Sequence, residues 1–104
     1  DVYKRQVEEF TDEAVVKISG WALNRKTLRA GTLNIVLTGQ DKQQYIVKSE
    51  RLYRPDVRDA FGKRRLAFAG FEAAFIKQNL PKQHYEVSLV LDGDARMVGS
   101  IVVA

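Results

Sequence analysis

Apolar and polar side chains alternate with a period of two along most of the chain, the signature of half-buried β-strands. The alternation is cleanest over Thr32 to Thr38, where Leu33, Ile35 and Leu37 share one side, and over Tyr85 to Leu91, where Tyr85, Val87, Leu89 and Leu91 do. Gly70 to Ile76 repeats the pattern with Phe71, Ala73 and Phe75 turned inward. Ala14 to Leu23 reads as a strand with apolar residues on both sides, Gln43 to Tyr53 as one long strand, Met97 to Val103 as the last, and Val7 to Phe10 as a short first one. Turn-forming clusters separate them: Gly39-Gln40-Asp41-Lys42 implies a hairpin, Leu80-Pro81 a connection, and Asp92-Gly93-Asp94 a tight turn.

One stretch breaks the pattern. In Leu52 to Gly62, Pro55 suits the first helical position and Gly62 the position just past the end, while Val57, Ala60 and Phe61 fall on one side of two turns. The prediction is therefore an all-β chain: an antiparallel, immunoglobulin-like β-sandwich of about seven strands with one short helix near 55–62. Gly20 before Trp21 suggests a bulge or a close backbone approach that lets the indole reach the core. A buried Trp21 is the structural expectation; a sugar-stacking platform is the alternative.

Length and composition narrow the function. The 104 residues suffice for one domain with one core. Without cysteine there is neither a disulfide nor a thiolate metal site, and the single histidine, His84, removes most zinc constellations; no metal and no cofactor are expected. No apolar run approaches the ~20 residues that cross a bilayer. Seventeen Lys and Arg against 13 Asp and Glu give +4. The densest basic run, Lys63-Arg64-Arg65, reads as a solvated loop, or as part of a surface for an anionic polymer. Nucleic acid is not the expected partner. Asp1 to Gln6, DVYKRQ, looks like the translation of a sequencing adapter; set aside, it leaves residues 7–104 as a single domain, expected to be a fragment of a larger protein, with a charge of +3.

Ile18-Ser19-Gly20-Trp21-Ala22, Arg54-Pro55-Asp56-Val57 with Ala60-Phe61, Ala69-Gly70-Phe71-Glu72, Leu80-Pro81 and Tyr85-Glu86-Val87 follow one another in an order that resembles a known bacterial module. It is the small β-sandwich appended to glycosyltransferases and to membrane proteins of surface-polysaccharide synthesis. The resemblance spans about residues 14–103, and departs from the pattern where Pro81-Lys82-Gln83 lacks the usual glycine. It implies a non-catalytic accessory role at the cell envelope, packing on a cis partner domain or positioning glycan.

Two readings of the basic residues stay open. Arg54 can fork onto Asp56 to fix the helix start, with Asp56 favourable near the helix N-terminus. Alternatively Arg51, Tyr53, Arg54 and Arg58 form a binding face for a phosphate or an acidic sugar, giving an independent polyanion- or carbohydrate-binding domain that extends to Lys63 to Arg65. Trp21, Pro55, Asp56, Val57, Phe61, Gly62, Gly70 and Phe71 are the expected structural residues. Asp92 and Asp94 flank a turn glycine and read as turn formers, not as catalytic or metal-binding carboxylates.

Overall fold

The computed structural model describes the backbone of residues 3–11 and residues 14–104 in full. Eight strands make two four-stranded antiparallel sheets. The first holds β1 (Tyr3–Thr11), β2 (Val15–Asn24), β6 (Gly70–Ile76) and β5 (Glu50–Leu52) in that order; the second holds β4 (Gln44–Val47), β3 (Leu33–Gly39), β7 (His84–Leu91) and β8 (Asp94–Val102). In immunoglobulin lettering this is ABED against CFG, with one further strand beside C. The all-β sandwich expected from the alternation is the observed fold.

The core lies between the sheets and is built from the predicted faces: Val16, Ile18 and Ala22 of β2, Leu33, Ile35 and Leu37 of β3, Phe71 and Ala73 of β6, and Tyr85, Val87, Leu89 and Leu91 of β7. Tyr85 is 1% exposed, and its hydroxyl donates to the Pro81 carbonyl at 2.6 Å while accepting from Gln83 at 3.3 Å. A buried tyrosine bonded back to the corner before its strand is the device immunoglobulin sandwiches use at the same place. Here it fixes the turn in which Pro81-Lys82-Gln83 lacks the glycine.

α1 (Pro55–Phe61) starts at Pro55 and ends on Gly62, whose φ of 64° is the left-handed cap that glycine adopts without strain. It covers a second, smaller cluster: Val57, Leu66 and Ala69 pack on Leu23, with Trp21 and Phe61 partly buried at the margin. Leu23 lies on the opposite side of β2 from Ala22, so β2 supplies both apolar layers, which is why neither of its faces is polar.

Four expectations need correction. Gln43 to Tyr53 is not one strand: β4 pairs with β3 in one sheet, and after Lys48 and Ser49 the chain crosses to pair β5 with β6 in the other. Alternation continues through the crossing, so the pattern could not reveal it, and Ser49 anchors the step by donating to the Leu33 carbonyl at 3.0 Å. No bulge occurs at Gly20, where both ladders run through in register; the irregularity lies between Val87 and Ser88, opposite Val98. Trp21 belongs to the small cluster under the helix and not to the main core. The first strand is longer than Val7 to Phe10, since the backbone from Tyr3 onward pairs with β2. Thr11-Asp12-Glu13 reads in the sequence as a turn into the second strand, and Asp12 and Glu13 lie outside the described residues.

Gly70, paired with Leu52, has no room for a side chain: a Cβ there would sit 2.5 Å from Arg54 Cγ and 2.8 Å from the Leu52 carbonyl oxygen. Gly70→Ala is expected to destabilise the domain by about 1–3 kcal/mol in urea unfolding, because the added methyl must displace backbone as well as side chain. Combining it with Arg54→Ala should recover only part of that loss, since the Leu52 carbonyl stays in place.

Candidate functional site

The four residues of the expected binding face do not form one surface. Arg51 stands opposite Phe71 in the β5–β6 ladder and turns inward with it. Its Nη1 donates to the Ala22 carbonyl at 3.2 Å and to the Ala69 carbonyl at 2.9 Å, and its Nη2 bonds the Ala30 carbonyl with a longer contact to Gly31. One guanidinium thus ties the end of β2, the start of β6 and the loop before β3. Asp92 closes the same corner from the other sheet. Its carboxylate accepts from the Thr32 N–H and from Asn24 Nδ2, both at 2.9 Å, and its own N–H donates to the Thr32 carbonyl. Those bonds, with the Arg51 charge nearby, hold the Asp92 carboxyl below its ordinary value, while burial draws Arg51 down.

Arg54 is likewise engaged. Its stem crosses the space left open by Gly70, and its guanidinium grips Asp56 in a two-bond fork of 2.9 and 2.7 Å. The first structural reading of the pair is therefore the observed arrangement. The fork pushes Asp56 down to about 2, and this carboxylate stands in the first turn of a helix whose N-cap side chain makes no capping bond. Trp21 is the cross-strand neighbour of Gly70 and meets Phe61 edge-on at 6.1 Å between ring centres. Four separate pieces of the sequence pattern, around Trp21, Arg54, Phe61 and Gly70, so interlock in one small assembly. Beside it lies a depression of about 240 Å³ lined by Ser19, Trp21, Leu52, Arg54 and Glu72.

Tyr53 and Arg58 do meet. Arg58 donates to the Tyr53 hydroxyl at 2.9 Å, lies 5.7 Å from the ring centre, and pairs with Asp59 at 3.0 Å. Tyr53 also packs on Phe68, 5.6 Å between ring centres, yet the two are 53% and 57% exposed. Lys63 to Arg65 are exposed as expected, but Arg64 and Arg65 enter a 3-10 turn, and Arg65 Nε donates to the Leu28 carbonyl at 2.7 Å. That bond joins the run to the Arg25 to Arg29 loop, a proximity with no signal in the sequence.

A second feature emerges only from the register. The outer face of the β4–β3–β7–β8 sheet aligns Ile46, Val36, Ser88 and Met97 in one row across all four strands, with Val90 and Ala95 beside it. Ile46 is 74% and Met97 61% exposed. Only Glu86 and His84 carry ionisable groups on these outer strand positions. Asp92 and Gly93, with φ of 50° and 84°, form the tight hairpin turn expected of them, and Asp94 pairs with Arg96. Among the described residues no cluster of three His, Asp or Glu side chains could hold a metal, and no helix is long and apolar enough to cross a membrane.

Compared with known proteins, the chain matches no family model, no curated protein and no solved structure.

Two outcomes test this assignment of roles. Arg51→Met removes a donor from carbonyls of three segments, of which the Ala69 carbonyl keeps the Ala22 N–H at 3.0 Å. Each buried group left unsatisfied costs about 1–3 kcal/mol, so a loss of about 2–3 kcal/mol in chemical unfolding is expected. A surface ligand-binding arginine would change stability by under about 0.5 kcal/mol. The folded-state carboxyls of Asp56 and Asp92 lie below their ordinary value of 3.8, so both stabilise the fold above that pH and their contribution fades as pH falls below it, that of Asp56 towards about 2. Thermal midpoints should therefore drop between about pH 4 and pH 2, and a double Asp56→Asn, Asp92→Asn variant should start lower at pH 7 and fall less.

Proposed function

We propose that this domain is a non-catalytic accessory module of a larger bacterial surface-polysaccharide protein, packing on a neighbouring domain of the same polypeptide. The observation that carries the reading is the outer face of the β4–β3–β7–β8 sheet. A four-stranded surface bears Ile46, Val36, Val90, Met97 and Val102 with two ionisable residues, in a chain that is 29% charged. Depletion of charge around exposed apolar side chains is what the centre of a protein–protein interface requires. The ordered motifs around Trp21, Arg54, Gly70 and Tyr85 support the family resemblance; the first three brace one another, Tyr85 fixes its own corner, and the sheet face is left free to dock.

The alternative, an independent polyanion- or carbohydrate-binding domain using Arg51, Arg54, Arg58 and Lys63 to Arg65 as one surface, is disfavoured because Arg51 and Arg54 are occupied by backbone carbonyls and by Asp56. Radical footprinting of the isolated domain and of the longer polypeptide containing it tests the proposal. Met97 is expected to become protected in the longer protein while exposed Phe68, at a different place on the surface, keeps its reactivity. Equal oxidation of Met97 in both would remove the docking role.

A further inference from the structure

The fold gathers at one end of the sandwich basic residues that the sequence keeps far apart. Asn24 organises the turn after β2, its side-chain oxygen accepting from the N–H groups of Lys26 and Thr27 and its backbone pairing with Leu28 and Arg29. The turn presents Arg25, Lys26 and Arg29, all exposed. Arg65, 37 residues away in sequence from Leu28, docks on this turn through the Leu28 carbonyl. On the other side of Arg65, Arg58, Lys63 and Arg64 line an open groove of about 640 Å³ together with Asp59, Gly62 and Ala67.

Acidic groups are scarce at this end. Residues 24–31 contain none, and residues 57–69 contain only Asp59, which Arg58 holds at 3.0 Å. Asp92 stands at the base of the turn with its two oxygens engaged by Thr32 and Asn24. Lys63 and Arg64 have no carboxylate partner among the described residues.

The apolar neighbours decide which anion fits. Phe68 follows the basic run by three residues and is 57% exposed; Tyr53 leans on it, and Leu52 precedes Tyr53. A purely ionic partner leaves an exposed phenylalanine without a role. Stacking of nucleobases needs open ring faces, but Tyr53 and Phe68 pack on each other and Arg58 lies over Tyr53. Lysine and arginine beside exposed aromatic and aliphatic side chains match a bilayer interface, where phosphates meet the cations and rings settle at headgroup depth.

We propose that this end of the sandwich binds the surface of anionic lipid membranes peripherally, with Arg25, Lys26, Lys63 and Arg64 on the headgroup phosphates and Phe68 at the apolar boundary. This goes beyond the accessory-module reading and uses a different surface from the sheet face, so each stands or falls separately.

The test is flotation of the purified domain with vesicles of phosphatidylcholine alone or with about 30% phosphatidylglycerol, at ~100 mM NaCl, so that the anionic surface potential is the variable. Binding is expected to the anionic vesicles only. Lys63→Gln with Arg64→Gln should weaken it about 25-fold, or about fivefold per cation. Phe68→Ser should weaken it about fivefold or more, and Lys42→Gln, at the far end of β3, should leave it unchanged. Circular dichroism melts confirm that these exposed variants remain folded. Absence of binding, equal binding to neutral vesicles, or indifference to Phe68→Ser would overturn the proposal. So would displacement from vesicles by duplex or single-stranded DNA, or by polygalacturonate, at equal charge concentration, which would assign the patch to a soluble polyanion.

Discussion

The architecture depends on one guanidinium directed inward. Strands β2 and β6, neighbours in one sheet, part beyond the Trp21–Gly70 pair at one end of the sandwich, where the Ala22 N–H still reaches the Ala69 carbonyl at 3.0 Å. Arg51 supplies donors to Ala22, Ala69 and Ala30 at once, a task that suits the planar fork of arginine and that a lysine ammonium reaches less well. The cost is removal of a charge from water, offset by those bonds and by Asp92 nearby. Asp92 repeats the arrangement with opposite sign, donating an N–H to and accepting an N–H from Thr32. The loop of residues 24–32 is thereby pinned from both sheets, and the position of every basic side chain on it follows from that pinning.

A second constraint is steric. Gly70 has no side chain because the stem of Arg54 crosses above it, and Arg54 is held there because its head is locked to Asp56 across Pro55. The helix starts where that fork places it, Val57 then reaches Leu23, and Phe61 reaches Trp21. Changing any one of these residues loosens the next. Residues that read as separate short motifs are successive contacts along one chain of packing.

What the sequence made legible was local. Strand faces at Leu33 to Leu37 and Tyr85 to Leu91, the Pro55 start and Gly62 end of the helix, the Arg54–Asp56 fork and the Asp92-Gly93 turn all depend on neighbours within a few positions. What escaped was non-local. The period-two pattern continues unchanged through Lys48 and Ser49 although the chain changes sheets, and an arginine within a strand carries no mark of which side it faces until its partner strand is known. From the sequence alone Arg51 therefore reads as a surface cation. The juxtaposition of Leu28 with Arg65 is a contact between two loops 37 residues apart, and the row from Ile46 to Met97 needs the register of four strands.

The two free surfaces differ in chemistry because they differ in how they are built. The outer sheet face is assembled from strand positions two apart, where β-propensity favours residues such as Val and Ile, so its exposed row is largely apolar with few charges. The loop end is assembled from turns, where backbone groups are bonded by Asn24, Arg51, Asp92 and Arg65, and the remaining basic side chains project outward. Rigidity matters more at the second. Loops that had to be ordered on contact would lose part of any binding free energy to that ordering, whereas the hydrogen bonds made within the fold already fix the backbone from which these side chains project. The buried Arg51 contributes to that order by holding the loop at Ala30 and Gly31.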